Sequence, residues 1–264
     1  MFRVGIFDSG LGGLTTLSSI VDIISNVEIY YIADTLNAPY GDKTKQEILK
    51  FSISITDYLV STHNIDALIV ACNSATSHSI SHIRKHYPNL IIIGTEPAIK
   101  PALNQTITNK IALLATKATI SGDKYNNLSS KLSKNRNINI YNLACSGLVE
   151  LIENGDIDSD ETKKLLIKWL EPLKKKDIDT IVLGCTHYPL IRHIVEDIMD
   201  NKINIIDSKE AISKYLLKMM SDKGHNNIGN IKINIFYTGK INIKMVDFII
   251  NRNKTISKID IVTN

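Results

Sequence analysis

Cysteine is sparse in this chain: three among 264 residues, at positions 72, 145 and 185. The count is odd, the spacing wide, and each lies in or near an apolar segment. That excludes a disulfide framework and points to a reducing cytoplasm. No CxxC pair occurs, so neither a zinc ribbon nor a thioredoxin-type redox site is written in the chain. No apolar run is long enough to span a bilayer. Met1 to Asp8 enters a strand directly and lacks the regions of a signal peptide. Aromatic residues are few, 6% with one tryptophan, and they do not interleave with a basic stripe. The net charge of +4 is therefore not read as nucleic-acid binding. The run Lys174-Lys175-Lys176 reads as a solvated helix face. A dinucleotide fingerprint is also missing, because Gly10, Gly12 and Gly13 do not fit GxGxxG and no acidic ribose partner follows.

What is present is a globular composition, 44% hydrophobic and 22% charged, in a chain long enough for two α/β domains. Two stretches nearly repeat each other. Ile65-Asp66-Ala67-Leu68-Ile69-Val70-Ala71-Cys72-Asn73 is answered by Ile178-Asp179-Thr180-Ile181-Val182-Leu183-Gly184-Cys185-Thr186. The cysteines lie 113 positions apart (185 − 72), far beyond a solenoid period. Ile111 to Thr116 likewise repeats the apolar pattern of Val4 to Ser9. The chain thus reads as two similar doubly wound α/β domains related by pseudo-two-fold symmetry, with the active site in the cleft between them. The expected boundaries are 1–97 plus 208–264 for the first domain, carrying Asp8 and Cys72, and 98–207 for the second, carrying Glu153, Cys185 and His187. Pro97 and Pro101 bracket the crossing.

Coarse periodicity predicts strands at 4–7, 28–33, 67–71, 90–93, 111–116, 138–143, 180–183, 203–207, 231–238 and 259–262. Helices are expected at 14–24, 46–61, 74–85, 120–131, 161–175 and 209–221. Both repeated cysteines fall at strand ends before a helix, where open parallel sheets bind ligands. A nearby helix N-terminus suits a carboxylate ligand and favours a thiolate.

A lone strand cysteine is usually packing. Two at equivalent repeat positions, each followed by a polar residue, can serve opposite faces of one substrate carbon. Cys145 has no such partner and reads as packing. Cys72, Cys185 and His187 are also zinc-type ligands, though without the usual spacing. Asp8 follows a strand and precedes glycines; it can orient an ammonium group or polarise a thiol, or simply cap a helix. His187, two residues after Cys185, can pair with a thiolate.

Together these motifs resemble the glutamate racemases of the aspartate/glutamate racemase superfamily, over essentially the full length. Gly5 to Leu14 matches the family's opening motif. Ala33-Asp34-Thr35 with Pro39-Tyr40-Gly41 matches its second, although Leu36-Asn37-Ala38 departs from the usual residues. Ala71-Cys72-Asn73-Ser74-Ala75 matches the first cysteine motif, with serine where threonine is commoner. Gly184-Cys185-Thr186-His187-Tyr188-Pro189-Leu190 matches the second. The resemblance implies an isomerase without cofactor or metal, supplying D-glutamate for peptidoglycan, and a homodimer. It implies that Cys72 and Cys185 are the acid/base pair, Asp8 assisting the first and His187 the second. Ser9, Pro39, Tyr40, Gly41, Asn73, Ser74 and Thr186 would contact L- or D-glutamate. Thr116 and Thr119 join them by pseudo-symmetry with Ser9. A loop acid of the family maps to Glu153, with Glu150 the competing choice, since Ser146 and Glu150 stand where proline is frequent. An aspartate racemase would usually carry glutamate in place of His187. A binding protein without turnover is the reading from another class.

Overall fold

The computed structural model describes residues 1–135 and 138–261. Among them, ten strands form two wholly parallel sheets. The first contains β1 (Phe2–Asp8), β2 (Val27–Ala33), β3 (Ala67–Val70) and β4 (Ile91–Gly94). The second contains β5 (Lys110–Ala115), β6 (Asn139–Ala144), β7 (Thr180–Leu183) and β8 (Asn204–Ile206). The chain then returns to the first sheet with β9 (Ile231–Tyr237) and β10 (Thr255–Lys258). The strand orders are β10-β9-β2-β1-β3-β4 and β6-β5-β7-β8. Stripped of β9 and β10, the first order is the second order with every strand replaced by its counterpart.

The register repeats as well. Val4 stands opposite Ala67 on β3, and Ile111 stands opposite Thr180 on β7. The ladder continues past both pairs: Ala71 N–H donates to Phe7 O at 2.9 Å, and Gly184 N–H donates to Leu114 O at 2.7 Å. The position after Phe7 is Asp8, and the position after Leu114 is Ala115. One step across the sheet, Asp34 N–H donates to Asp8 O, and Cys145 N–H donates to Ala115 O, both at 2.9 Å. Asp8 is therefore the counterpart of Ala115, and Asp34 of Cys145.

The central strands are apolar throughout because helices cover both faces. On one face the helix Leu14–Ile23 packs against Lys209–Asp222; on the other, Lys45–His63 packs against Asn73–His86. A capping box at Thr44 and Glu47 starts Lys45–His63. Val4, Ile6 and Leu14 share a continuous core with Leu114, Leu166 and Leu183, so apolar packing runs through both sheets.

Two expectations need correction. The helix expected over 120–131 is two helices, Lys117–Ser121 and Asp123–Asn135. Gly122 breaks it, packed so closely on the neighbouring helix that a Cβ there would lie 2.6 Å from the Ser77 Cβ. The last strand lies at Thr255–Lys258, not 259–262, because residues 255–258 pair with Asn234–Tyr237 while Ile259 and Ile261 turn their side chains onto the core. Val262 is outside the described residues. The helices Ile99–Gln105, Leu148–Asn154, Arg192–Ile198 and Ile243–Ile249 were not expected. Each spans seven residues, too few for helical periodicity to stand out.

Candidate functional site

The repeated Ile-Asp-x-aliphatic-Cys segment divides its labour along the strand. At its start, Asp66 accepts from Arg3 N–H at 2.8 Å, and Asp179 accepts from Ile107 N–H and Thr108 N–H at 2.6 and 2.8 Å. Asp66 thus ties its segment to β1, and Asp179 ties its own to the loop before β5. At its end, the thiols reach the cleft. Cys72 and Cys185 both line one narrow cavity, together with Ser9, Pro39, Tyr40, Gly41, Asn73, Ser74, Thr116, Thr186 and His187.

Cys72 is the N-cap of the helix Asn73–His86, and its sulfur accepts from Ala75 N–H at 3.4 Å. Its thiol points to Ser9 Oγ at 3.9 Å. Burial, then the charge of Asp8, pushes this thiol far above its ordinary range, so it is protonated at neutral pH. Asp8 thus acts on Cys72 through its field; the hydrogen bonds at the sulfur come from elsewhere.

Asp8 is fully buried at the end of β1. Gly10 N–H donates to its Oδ2 at 3.0 Å, and Thr186 Oγ1 donates to its Oδ1 at 3.0 Å from the other sheet. Burial raises its carboxyl above the usual range, opposed by the His187 charge and these two hydrogen bonds. Tyr31 supports the same glycine turn by donating to Gly10 O at 2.5 Å.

His187 is buried two residues past Cys185. Its Nδ1 lies 3.6 Å from the Cys185 sulfur, and its Nε2 lies 2.5 Å from Glu153 Oε1. Burial alone would lower this imidazole. The hydrogen bonds to Cys185 and Glu153, with their charges, outweigh it and hold His187 well above the ordinary value. Both ring nitrogens then donate. Gly12 N–H also approaches Nε2 at 3.2 Å. A protonated Nε2 cannot accept it, so we assign the shorter contact to Glu153 as the hydrogen bond. Glu153 Oε1 also accepts from Leu11 N–H at 2.6 Å, while Glu150 faces solvent. Glu153 touches His187 rather than either thiol.

Several side chains sit where expected and make hydrogen bonds that the sequence did not name. Asn73 lines the cleft, yet its amide donates to Thr95 O at 3.3 Å. Thr186 lines the cleft and donates to Asp8. Ser74 Oγ lies 2.9 Å from Thr116 Oγ1 and 3.4 Å from Thr119 Oγ1. Thr119 stands behind them and is not part of the cavity wall. Two participants were given no role from the sequence. Val149 lines the cleft from a short helix with no distinguishing pattern. Asp34 organises the Pro39-Tyr40-Gly41 wall: Tyr40 Oη donates to it at 2.6 Å, Asn37 Nδ2 at 3.0 Å and Thr238 Oγ1 at 2.8 Å. Its signal was a polar residue directly after an apolar strand. Cys72, Cys185 and His187 belong to no cluster of three or more metal-ligating groups among the described residues. No described helix is long and apolar enough to cross a membrane.

Two thiols face one cavity of this α/β fold, one near a buried carboxylate and the other beside an imidazole. The family model for Asp/Glu/hydantoin racemases matches residues 15–216, and the chain belongs to that family of isomerases. It is 50% identical over 248 residues to a glutamate racemase of Sulfurovum sp. (strain NBC37-1), covering 94% of each chain. It is 49% identical over 260 residues to that of Aliarcobacter butzleri (strain RM4018), covering 98% of this chain and 100% of the relative. The solved Escherichia coli glutamate racemase with L-glutamate and the activator UDP-MurNAc-ala superposes with a TM-score of 0.87 at 26% identity, covering 99% of both chains.

Proposed function

We propose that this racemase interconverts L- and D-glutamate without a cofactor, passing the α-proton between Cys72 and Cys185. The observation that carries it is the single cavity lined by both residues. The relatives at 50% and 49% identity, both glutamate racemases, support the choice of substrate. So does the Francisella tularensis enzyme solved with D-glutamate, which has a TM-score of 0.84 at 25% identity.

The geometry supports the following chemistry. Asp8 receives the substrate ammonium, and hydroxyls and backbone N–H groups around Ser9, Ser74, Thr116 and Thr186 receive the carboxylates. One cysteine, as thiolate, removes the α-proton and becomes a thiol. The electron pair left on the carbon spreads into the α-carboxylate, stabilised by fixed donors in a closed cleft. The opposite thiol then protonates the other face and becomes a thiolate. The imidazolium of His187 is the counter-charge for Cys185 when that sulfur is ionised. Cys72, raised by burial and by Asp8, is the thiol before substrate binds. Each turnover exchanges the two protonation states, and proton exchange with water resets them.

Strand membership supports a first domain of residues 1–97 with 208–264 and a second of 98–207. Supply of D-glutamate to peptidoglycan, by a cytoplasmic homodimer, belongs to the same reading. The test is circular dichroism of D-glutamate incubated with purified protein and no additive, alongside α-proton exchange in heavy water. Loss of optical activity, abolished in Cys72→Ser and Cys185→Ser, is expected. Full racemisation in both single variants would end the two-thiol account, and binding without exchange would favour a non-catalytic protein.

A further inference from the structure

His78 lies one turn beyond Ser74 on the helix Asn73–His86. Its Nε2 is 3.0 Å from the Ala118 carbonyl, on the helix Lys117–Ser121 that follows β5. Its Nδ1 is buried with no hydrogen-bond partner. One nitrogen faces an acceptor and the other faces none, so the proton belongs on Nε2, which donates. Burial holds His78 below the ordinary imidazole range, consistent with that neutral form; Lys45 and Asp123 are the charged groups that face it.

The helix it meets has five residues, too short to persist without docking. That turn carries Thr116, its N-cap, and Thr119, whose hydroxyls meet Ser74 at 2.9 and 3.4 Å. Apolar packing holds it too, since Ala118 is buried in the core cluster that contains Tyr40 and Cys72. The nearby Lys45–Asp123 pair at 2.7 Å belongs to the next helix, is solvent-exposed on both sides and contributes little. The Ser74, Thr116 and Thr119 hydroxyls stand at or behind the cavity wall, where a substrate would compete for them. The bond from His78 is removed from that competition.

We propose that His78 is a positioning residue: by holding the Ala118 carbonyl, its Nε2–H seats the Thr116–Thr119 turn against Ser74 and fixes one wall of the substrate cleft. Only the kinetic arm of the test rests on the glutamate reading. The full-length protein is compared with His78→Leu, which cannot donate, and His78→Gln, whose amide nitrogen reaches about as far as Nε2. The leucine variant should raise KM for glutamate about 3–10-fold, the worth of one hydrogen bond, with kcat changed by less than about twofold. Without substrate, deuterium uptake at the Ile120 and Gly122 amides should be faster in that variant. The glutamine variant should restore both readouts. If the leucine protein fails to fold, His78→Asn, polar but too short, takes its place.

Unchanged KM and uptake in the non-donating variant would overturn the proposal. Equal impairment in the glutamine variant would also overturn it, because ring packing would then be the cause. A parent protein inert towards glutamate would refute the substrate reading, while the uptake comparison would still decide whether His78 holds the turn.

Discussion

Thr186 donates its hydroxyl to Asp8 at 3.0 Å, joining the residue after Cys185 to the end of the strand that opens the other sheet. The residue beside one thiol thus steadies the carboxylate that acts on the other. Thr186→Val removes this donor at nearly constant volume. Asp8, already raised by burial, rises further, so the acid limb of kcat/KM moves to higher pH. A loss of about 10-fold at neutral pH is expected from one hydrogen bond to a charged group. A pH profile superposable on that of the parent would refute the coupling.

Asp8 also sets a price in stability. Its raised value means that the folded state binds this proton more readily than the unfolded state does. Its favourable term is complete below the unfolded carboxyl value and is lost as pH rises through the folded one. At neutral pH the ionised carboxylate therefore weakens the fold. Asp8→Asn should raise the thermal midpoint at pH 7 while abolishing racemisation, and the gain should shrink in acid. A lowered midpoint would mean that Asp8 holds the glycine turn together through its charge.

Glu153→Gln keeps an oxygen for His187 Nε2 but withdraws the charge. His187 is held high by Cys185 and Glu153. Its stabilising contribution is complete below the unfolded imidazole value and is lost as pH rises through the folded one. In the variant that loss, and the alkaline limb of kcat, should arrive at lower pH. The fall in kcat should be on the order of 10-fold, with KM little changed. Chemical-shift titration of His187 in both proteins measures the same displacement directly.

A methyl group at Gly12 would collide with His187 Nδ1 and, at 2.5 Å, with Thr186 Oγ1. Gly12→Ala should cut kcat by about 100-fold or more, because small misplacements at a catalytic group are costly. Combined with Glu153→Gln it should lose less than the product of the two single effects, since both displace one imidazole. Strictly multiplicative losses would separate the two residues.

The repeat made the sheets, the thiols and their common cleft legible, because strand-end cysteines after matched apolar runs are a local signal. Asp8 and His187 were legible for the same reason, being adjacent in sequence to a glycine turn and to Cys185. Other relationships were not. Nothing near Thr186 says that its hydroxyl crosses to the opposite sheet, and nothing near Glu153 names Leu11 N–H as a partner. Long-range pairings of this kind depend on how the two sheets pack together. The four seven-residue helices were missed because two turns leave too little periodicity. Gly122 broke a helix through a close approach to Ser77 that no local propensity encodes.

The pairing of Asp8 with Ala115 as counterparts in the two halves has a thermodynamic corollary. Mirror-image substrates have equal free energy in water, so their equilibrium ratio is one whatever the catalyst. The specificity constants for the two enantiomers must then be identical, although one thiol stands beside a carboxylate and the other beside an imidazolium. Lopsided surroundings can alter kcat and KM only by the same factor. An enantiomer held more tightly is turned over proportionally more slowly, and the unequal halves set the concentration at which each direction saturates.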